Sequence, residues 1–236
     1  MVVASFHLAR FPSALAATAA VPRRRLALRR QPGLRFGRVL GTGRGRTMTA
    51  SADLHRWAVF ATWENGALLR RFVDESLPTL LEGAVERFDV ALRPLATRGT
   101  WDGADPLADP GLDPGHPAPP PPSGPIAVLT RATVRTRALP AFLRAVPPVD
   151  AHLQGADGLL ATVGIGERPI GRQATFSLWR DPDAMRRFAH RSAEHAEVVR
   201  RTRDEDWYGE ELFARFTPVR WAGTWDGARP LGDDRR

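Results

Sequence analysis

Two stretches of the chain alternate apolar and polar residues with a period of two and then change to helical spacing. They are RWAVFATWENGALLRRF, Arg56–Phe72, and RQATFSLWRDPDAMRRF, Arg172–Phe188. Alternation predicts a half-buried strand, and Asn65–Gly66 and Asp181–Pro182 stand where a helix start is expected. The two stretches overlay without a gap, with arginine, phenylalanine and tryptophan recurring in place, the mark of an internal repeat that continues along the chain. Val2–Leu8 and Ile126–Thr133 are both β-rich runs, followed by proline-introduced helix candidates at Pro12–Ala19 and Pro140–Val146. Arg38–Gly43 and Ala161–Gly166 read as short strands ending in glycine turns. A last pair, FDVALRPLATRGTWDGA and LFARFTPVRWAGTWDGA, places Pro94 and Pro218 equally far before a shared GTWDGA, where a proline suggests an edge strand or a strand's end.

Each half therefore predicts β-α-β-β-α-β, the ferredoxin-like split βαβ order, in an α+β fold. The expected division is a first ferredoxin-like module over 1–103, a proline-rich linker over 104–124 and a second module over 125–236. The linker contains ADPGLDPGHPAPPPPSGP, which can neither build a sheet ladder nor continue a helix. One such module leaves a sheet face uncovered, and a second copy supplies its partner. The expectation is an intrachain pseudo-dimer of the dimeric α+β barrel type. Its two four-stranded antiparallel sheets would pack face to face, with a cavity between sheets or between sheet and helix. The repeated hexapeptide reads as a turn that ends each module, anchored by Trp101 or Trp225.

Composition narrows the chemistry. The 236 residues include no cysteine, which removes disulfides, thiolate metal sites and a cysteine nucleophile. All basic side chains are arginine, so Schiff-base and P-loop lysine chemistry are excluded too. The net charge is +8; an arginine-only set reads as genome bias, and no nucleic-acid partner is expected. Arg23, Arg24, Arg25, Arg29, Arg30, Arg35, Arg38, Arg44 and Arg46 fall in a stretch without an acidic residue. That stretch reads as a solvated helix and loop, with contact to an anionic lipid surface as the alternative. Ala14–Val21 is too short for a membrane span, so a cytoplasmic protein, soluble or peripherally attached, is expected.

Features common to both copies are most simply explained by fold, so chemistry is sought where the copies differ. Met185, Phe188, Ser192, His195 and Val199 recur at spacings of three and four, an amphipathic stripe that places His195 on its buried edge. Its counterpart in the first copy is Thr79. His195 is thus either a satisfied core residue or a ligand. His55 faces Gly171 in the repeat register and is also peculiar to one copy. Arg56 and Arg172 occur in both, and read either as ion pairs at the start of a strand or as functional groups. GTGRG at Gly41–Gly45 lacks the helix and downstream acid of a dinucleotide site and reads as a turn. The acidic cluster Asp204, Glu205, Asp206, Glu210 and Glu211 reads as a solvated loop-to-strand junction, with a carboxylate catalytic site as the alternative.

Several stretches carry a resemblance: GTGRGRTMTASADLHRWAVFATW, IAVLTRATVR, VGIGERPIGRQATFSLW and EHAEVVRRTRDEDWYGEELFARF resemble the spheroidene monooxygenase family of carotenoid oxygenases. The likeness follows the whole chain except the proline linker and much of the first helix region. It implies a haem-containing monooxygenase that draws electrons from a ferredoxin-type donor and acts near the end of an acyclic carotenoid. Two hydroxylations at one carbon would give a geminal diol and then a ketone. It also implies that His195 is the iron ligand, with Arg172 or His55 donating to bound oxygen or to a haem propionate. Other expectations stay open beside it: cofactor-independent oxygenation of an aromatic or polyketide substrate, and a non-enzymatic haem-binding module. Association beyond the single chain is also left open.

Overall fold

The computed structural model describes residues 1–43, 52–109, 123–168, 171–191, 202 and 204–235. Eight strands close into one antiparallel barrel: β1 (Val3–Arg10), β2 (Leu34–Gly43), β3 (Ala52–Trp63), β4 (Glu86–Gly99), β5 (Ile126–Val134), β6 (Leu159–Gly166), β7 (Arg172–Trp179) and β8 (Tyr208–Gly223). Their order around the barrel is β1-β3-β2-β6-β7-β5-β8-β4. The first half contributes β4-β1-β3-β2 and the second β8-β5-β7-β6, so the repeat read from the sequence is present in the strand order. The expected face-to-face sheets are not. The two halves join edge to edge through β2–β6 and through a long β4–β8 ladder. Strands of 14 and 16 residues are long enough to pair with both neighbours, and closure removes the exposed edges that two open sheets would keep.

Pro94 and Pro218 lie inside β4 and β8, at the two register shifts of their ladder. A bulge accommodates the missing N–H, so the strands continue where the prolines suggested an edge or an end. Helices α1 (Ala14–Ala19) and α2 (Val21–Arg29) connect β1 to β2. Arg24 departs from the expected solvated stretch. It is buried over the Phe11 ring, 4.1 Å away, and donates to the carbonyls of Leu80 and Ala17. Between β3 and β4, α3 (Gly66–Arg71) passes through a π turn over Phe72–Ser76 into α4 (Leu77–Leu80). Asn65 caps α3 by accepting from the Ala67 and Leu68 amides, as its place before the helical spacing predicts. In the second half, α5 (Leu139–Gln154) runs eight residues past the predicted end at Val146, through two prolines. There α6 (Pro182–Arg191) begins at the predicted place, with Asp181 accepting from the Ala184 amide. No helix among the described residues is long and apolar enough to cross a membrane.

The barrel interior is a packed core. Phe6 stacks on Phe176 at 3.8 Å, Phe60 on Trp101 at 5.7 Å, and Phe176 on Trp225 at 6.4 Å. Leu107, at the start of the proline-rich segment, joins the same cluster. Each buried Phe or Leu side chain contributes roughly 1.5–3 kcal/mol, so this cluster is the main source of the barrel's cohesion. The repeated hexapeptide closes its two ends. Gly99 and Gly223 have φ of 93° and 88°, and a Cβ there would sit 2.0 and 2.1 Å from the carbonyl oxygens of Glu211 and Arg87. Only glycine fits that crossing of backbones.

The tryptophan after each glycine turns into the core. The threonine and second glycine are held by a glutamate of the other half: Glu210 Oε1 accepts from Thr100 Oγ1 at 2.9 Å and the Gly103 amide at 2.7 Å. Glu86 Oε1 accepts from Thr224 Oγ1 and the Gly227 amide at the same distances. The module-ending turn expected from sequence is thus also a symmetric plug.

Candidate functional site

The arginines singled out from the sequence belong to these plugs. Arg172 Nη1 lies 3.3 Å from Asp102 and 3.5 Å from Glu167. Arg56 Nη1 lies 3.1 Å from both oxygens of Asp226. Each hexapeptide aspartate therefore pairs with the repeat-matched arginine of the other half, Arg172 at the start of β7 and Arg56 within β3. His55 is exposed, and its Nδ1 lies 3.0 Å from the Phe11 carbonyl. Because β3 and β7 run in opposite directions around the barrel, His55 and Arg172 stand at opposite ends. The structure does not bring these two together.

His195 lies outside the described residues. The stripe leading to it begins as expected, with Met185 buried and Phe188 packed 5.4 Å from Trp179. Thr79, its counterpart in the repeat, is exposed. The first copy thus lends no inward orientation to the second.

A cavity of about 600 Å³ opens elsewhere, between the α3–α4 segment and the outward face of β1, β4 and β8. Leu69, Val73 and Pro78 line it from the helical side, and Val3, Ala91 and Ala222 from the strands. Arg70, Arg220 and Arg235 stand among its lining residues with Asp74. The π turn contributes Val73 and Asp74, so an irregularity in the helix shapes the wall.

On that wall lie His7 and Asp89, opposed residues of neighbouring strands. His7 is 1% exposed. Its Nδ1 is 2.8 Å from Asp89 Oδ1, while Nε2 is buried and has no hydrogen-bond partner. Phe72 packs edge-on against the imidazole at 5.7 Å. Burial works to raise the Asp89 carboxyl, but the hydrogen bond and charge of His7, with Arg87 2.8 Å away, hold it below the usual carboxylate range. An ionised Asp89 holds a proton on Nδ1, so that whenever the ring is neutral its lone pair lies on Nε2. Among the described residues there is no group of three or more His, Asp or Glu side chains suited to a metal ion. The chemistry offered is that of one oriented imidazole in an apolar cavity: a nitrogen ligand or a general base.

The sequence reading passed over His7 and Asp89. The strand ladder supplies the missing signal: in the second half the same cross-strand positions hold Thr130 and Phe213, so the pair is as peculiar to one copy as His195.

No family model matches the chain. It is 33% identical over 210 residues to a spheroidene monooxygenase of Rhodobacter capsulatus, covering 88% of this chain and 85% of that protein. It is 32% identical over 212 residues to a spheroidene monooxygenase of Cereibacter sphaeroides, covering 89% of this chain and 63% of that longer protein. Among solved structures, an aldoxime dehydratase bound to butyraldoxime superposes with a TM-score of 0.62 at 12% identity, over 99% of this chain and 86% of that one. At that identity the likeness shows the fold alone.

Proposed function

The chain belongs to the spheroidene monooxygenase family, of oxygenating oxidoreductases, and from that premise we propose that it oxygenates an acyclic carotenoid or a similar long apolar terpenoid with the help of haem and an external electron donor of the ferredoxin kind. The observation that carries the reading is the cavity over His7 and Asp89: apolar on most sides, sized for a cofactor or the end of a polyene, and holding one buried imidazole nitrogen without a partner. The strand orders of the two halves support reading them as two ferredoxin-like units fused into one barrel.

The donor set fits a haem. His7 offers a nitrogen whose tautomer Asp89 fixes, the walls are apolar, and Arg70, Arg220 and Arg235 suit two carboxylates. His195 is the second candidate for the iron, on the family resemblance. Bound haem supplies the activation of dioxygen. Each round consumes one dioxygen, two electrons and two protons, placing one oxygen on carbon and one in water; a second round at the same carbon gives a geminal diol that loses water to a ketone. The chain's own part is to bind and to shelter. Val3, Leu69, Val73, Pro78 and Ala91 receive the apolar chain and exclude water, while Asp89 keeps the His7 proton on Nδ1. Opening Nε2 to a ligand requires the imidazole or the neighbouring Phe72 ring to move, because that nitrogen is buried.

The test is an absorption spectrum of protein reconstituted with haem. A Soret band that shifts in His7→Ala and not in His195→Ala assigns the iron to the described cavity; the reverse assigns it to His195. Absence of any Soret band rejects haem. The His7–Asp89 pair also favours a second reading, in which His7 Nε2 takes a proton from an acidic substrate in a cofactor-free oxygenation. Full activity in haem-free protein, lost in His7→Ala, would establish that reading instead.

A further inference from the structure

We infer that α2 and the adjoining start of β2 dock the protein on an anionic bilayer surface. The first acidic residue of the chain is Asp53, so α2 and β2 carry arginine without a compensating carboxylate of their own. Helix α2 buries Val21, Arg24 and Leu28 against the barrel. At 100° per residue, Leu26 falls opposite that buried face, with Arg25 and Arg29 on one flank and Arg23 and Arg30 on the other. Leu26 is 51% exposed and Leu15, on α1, 82%. An exposed leucine flanked on both sides by arginines is the arrangement of an interfacial helix, which sinks its apolar side chain between headgroups and pairs its cations with their phosphates.

A second feature lies beside it. Arg25 and Arg29 of α2 share a cavity of about 270 Å³ with Arg38, Arg168 and Arg172, against only Asp102 and Glu167. Arg38 and Arg172 are paired with Asp102, whereas no carboxylate partner is seen for Arg25, Arg29 or Arg168 among the described residues. A phosphodiester headgroup matches both this excess of guanidinium and the leucines next to it; a free small anion would engage only the first. The inference stands apart from the oxygenase reading, because vesicle binding is measured without turnover.

The experiment is co-sedimentation of the full chain with vesicles of phosphatidylcholine alone and of phosphatidylcholine with about a third phosphatidylglycerol. Binding is expected only to the anionic vesicles. It should be lost at 1 M salt, where the screening length falls to about 3 Å. Each interfacial cation is worth about fivefold in partitioning. Arg23→Glu, Arg25→Glu and Arg29→Glu together should therefore weaken binding by more than about 100-fold, and Leu26→Ser alone by several-fold. A control carrying Arg71→Glu, Arg98→Glu and Arg186→Glu, an equal change of net charge on exposed sites elsewhere, should retain binding apart from a small uniform loss.

Circular dichroism of each variant checks folding, and the single Leu26→Ser variant keeps the test open if the triple reversal does not fold. Equal binding to neutral vesicles, equal loss in the control, or no binding at all would overturn the inference. So would full displacement by inorganic phosphate at matched ionic strength, which would mark the arginine cavity as a site for free anions.

Discussion

The two ends of the barrel share one closing device and differ in the residues beneath it. At each end a tryptophan enters the core, a glutamate of the other half binds the hexapeptide's threonine and glycine, and an aspartate meets Arg56 or Arg172. On β1, the residue facing inward beneath one plug is Leu8; the matching residue on β5 is Arg131, 1% exposed. Arg131 binds Glu210, lies 3.3 Å from Glu167 and sits 5.4 Å from the Trp101 ring. One position earlier, facing outward, the same two strands hold His7 and Thr130. What the halves share closes the barrel. Where they part, at two consecutive positions of the first strand of each half, one half acquires the buried His7 and the other the buried Arg131.

If the plugs are equivalent, their tryptophans must cost the same to remove. Trp101→Ala and Trp225→Ala should each destabilise the protein by about 3–5 kcal/mol, the range for emptying a large aromatic site in a core. Combined, they should add to within roughly 0.5 kcal/mol, since they act at opposite ends. Chemical denaturation measures all three, and a silent member of the pair would break the symmetry. Arg131→Leu asks the opposite question, because it rewrites one end in the image of the other. It should cost roughly 3 kcal/mol, as removing one partner of a buried ion pair does. Adding Glu210→Gln should recover part of that loss, though the hydrogen bonds from Thr100 and Gly103 keep the recovery incomplete. A neutral Arg131→Leu would mean that the charged end contributes no more than the apolar one.

Much of this comparison was legible in the sequence. The period-two runs, the helix starts at Asn65 and Asp181 and the GTWDGA register together located both halves and the strands within each. The barrel type was expected, but not that its two sheets meet edge to edge, since alternation says which face of a strand is buried and not whether its edges meet another sheet. Pro94 and Pro218 pointed away from closure, because a proline in a bulge and a proline at an edge look alike in one dimension. Arg172 and Arg56 were found, but their carboxylate partners lie across the repeat, some 70 and 170 positions away. His7 and Asp89 were missed for a different reason. A single histidine in a short β-rich run carries no spacing signal, and its meaning comes only from the strand that pairs beside it. The same holds for Glu210, which read as part of a solvated acidic run although it anchors a plug.

The smallest expected effect is a pH dependence confined to the Glu210 end. Partial burial works to raise the Glu210 carboxyl, but the Gly103 amide, Arg131 and the Thr100 hydroxyl together hold it down at about 2, against 4.5 for an ordinary glutamate. A carboxyl whose folded value is depressed binds protons more readily in the unfolded chain. Its contribution is therefore complete above about pH 4.5 and is lost as pH falls toward 2. The group is partly open to water, so the contribution is of order 1 kcal/mol once solvent screening is allowed for. Denaturation midpoints measured between pH 5 and pH 2 should fall more steeply for the native protein than for Glu210→Gln, which has no proton to take up at that site. Arg131→Leu should show an intermediate slope, since it removes the cation but leaves the two neutral donors in place. Equal slopes in all three would mean that Arg131 and the plug donors do not hold the carboxylate, and that the charged end differs from the apolar one in packing alone.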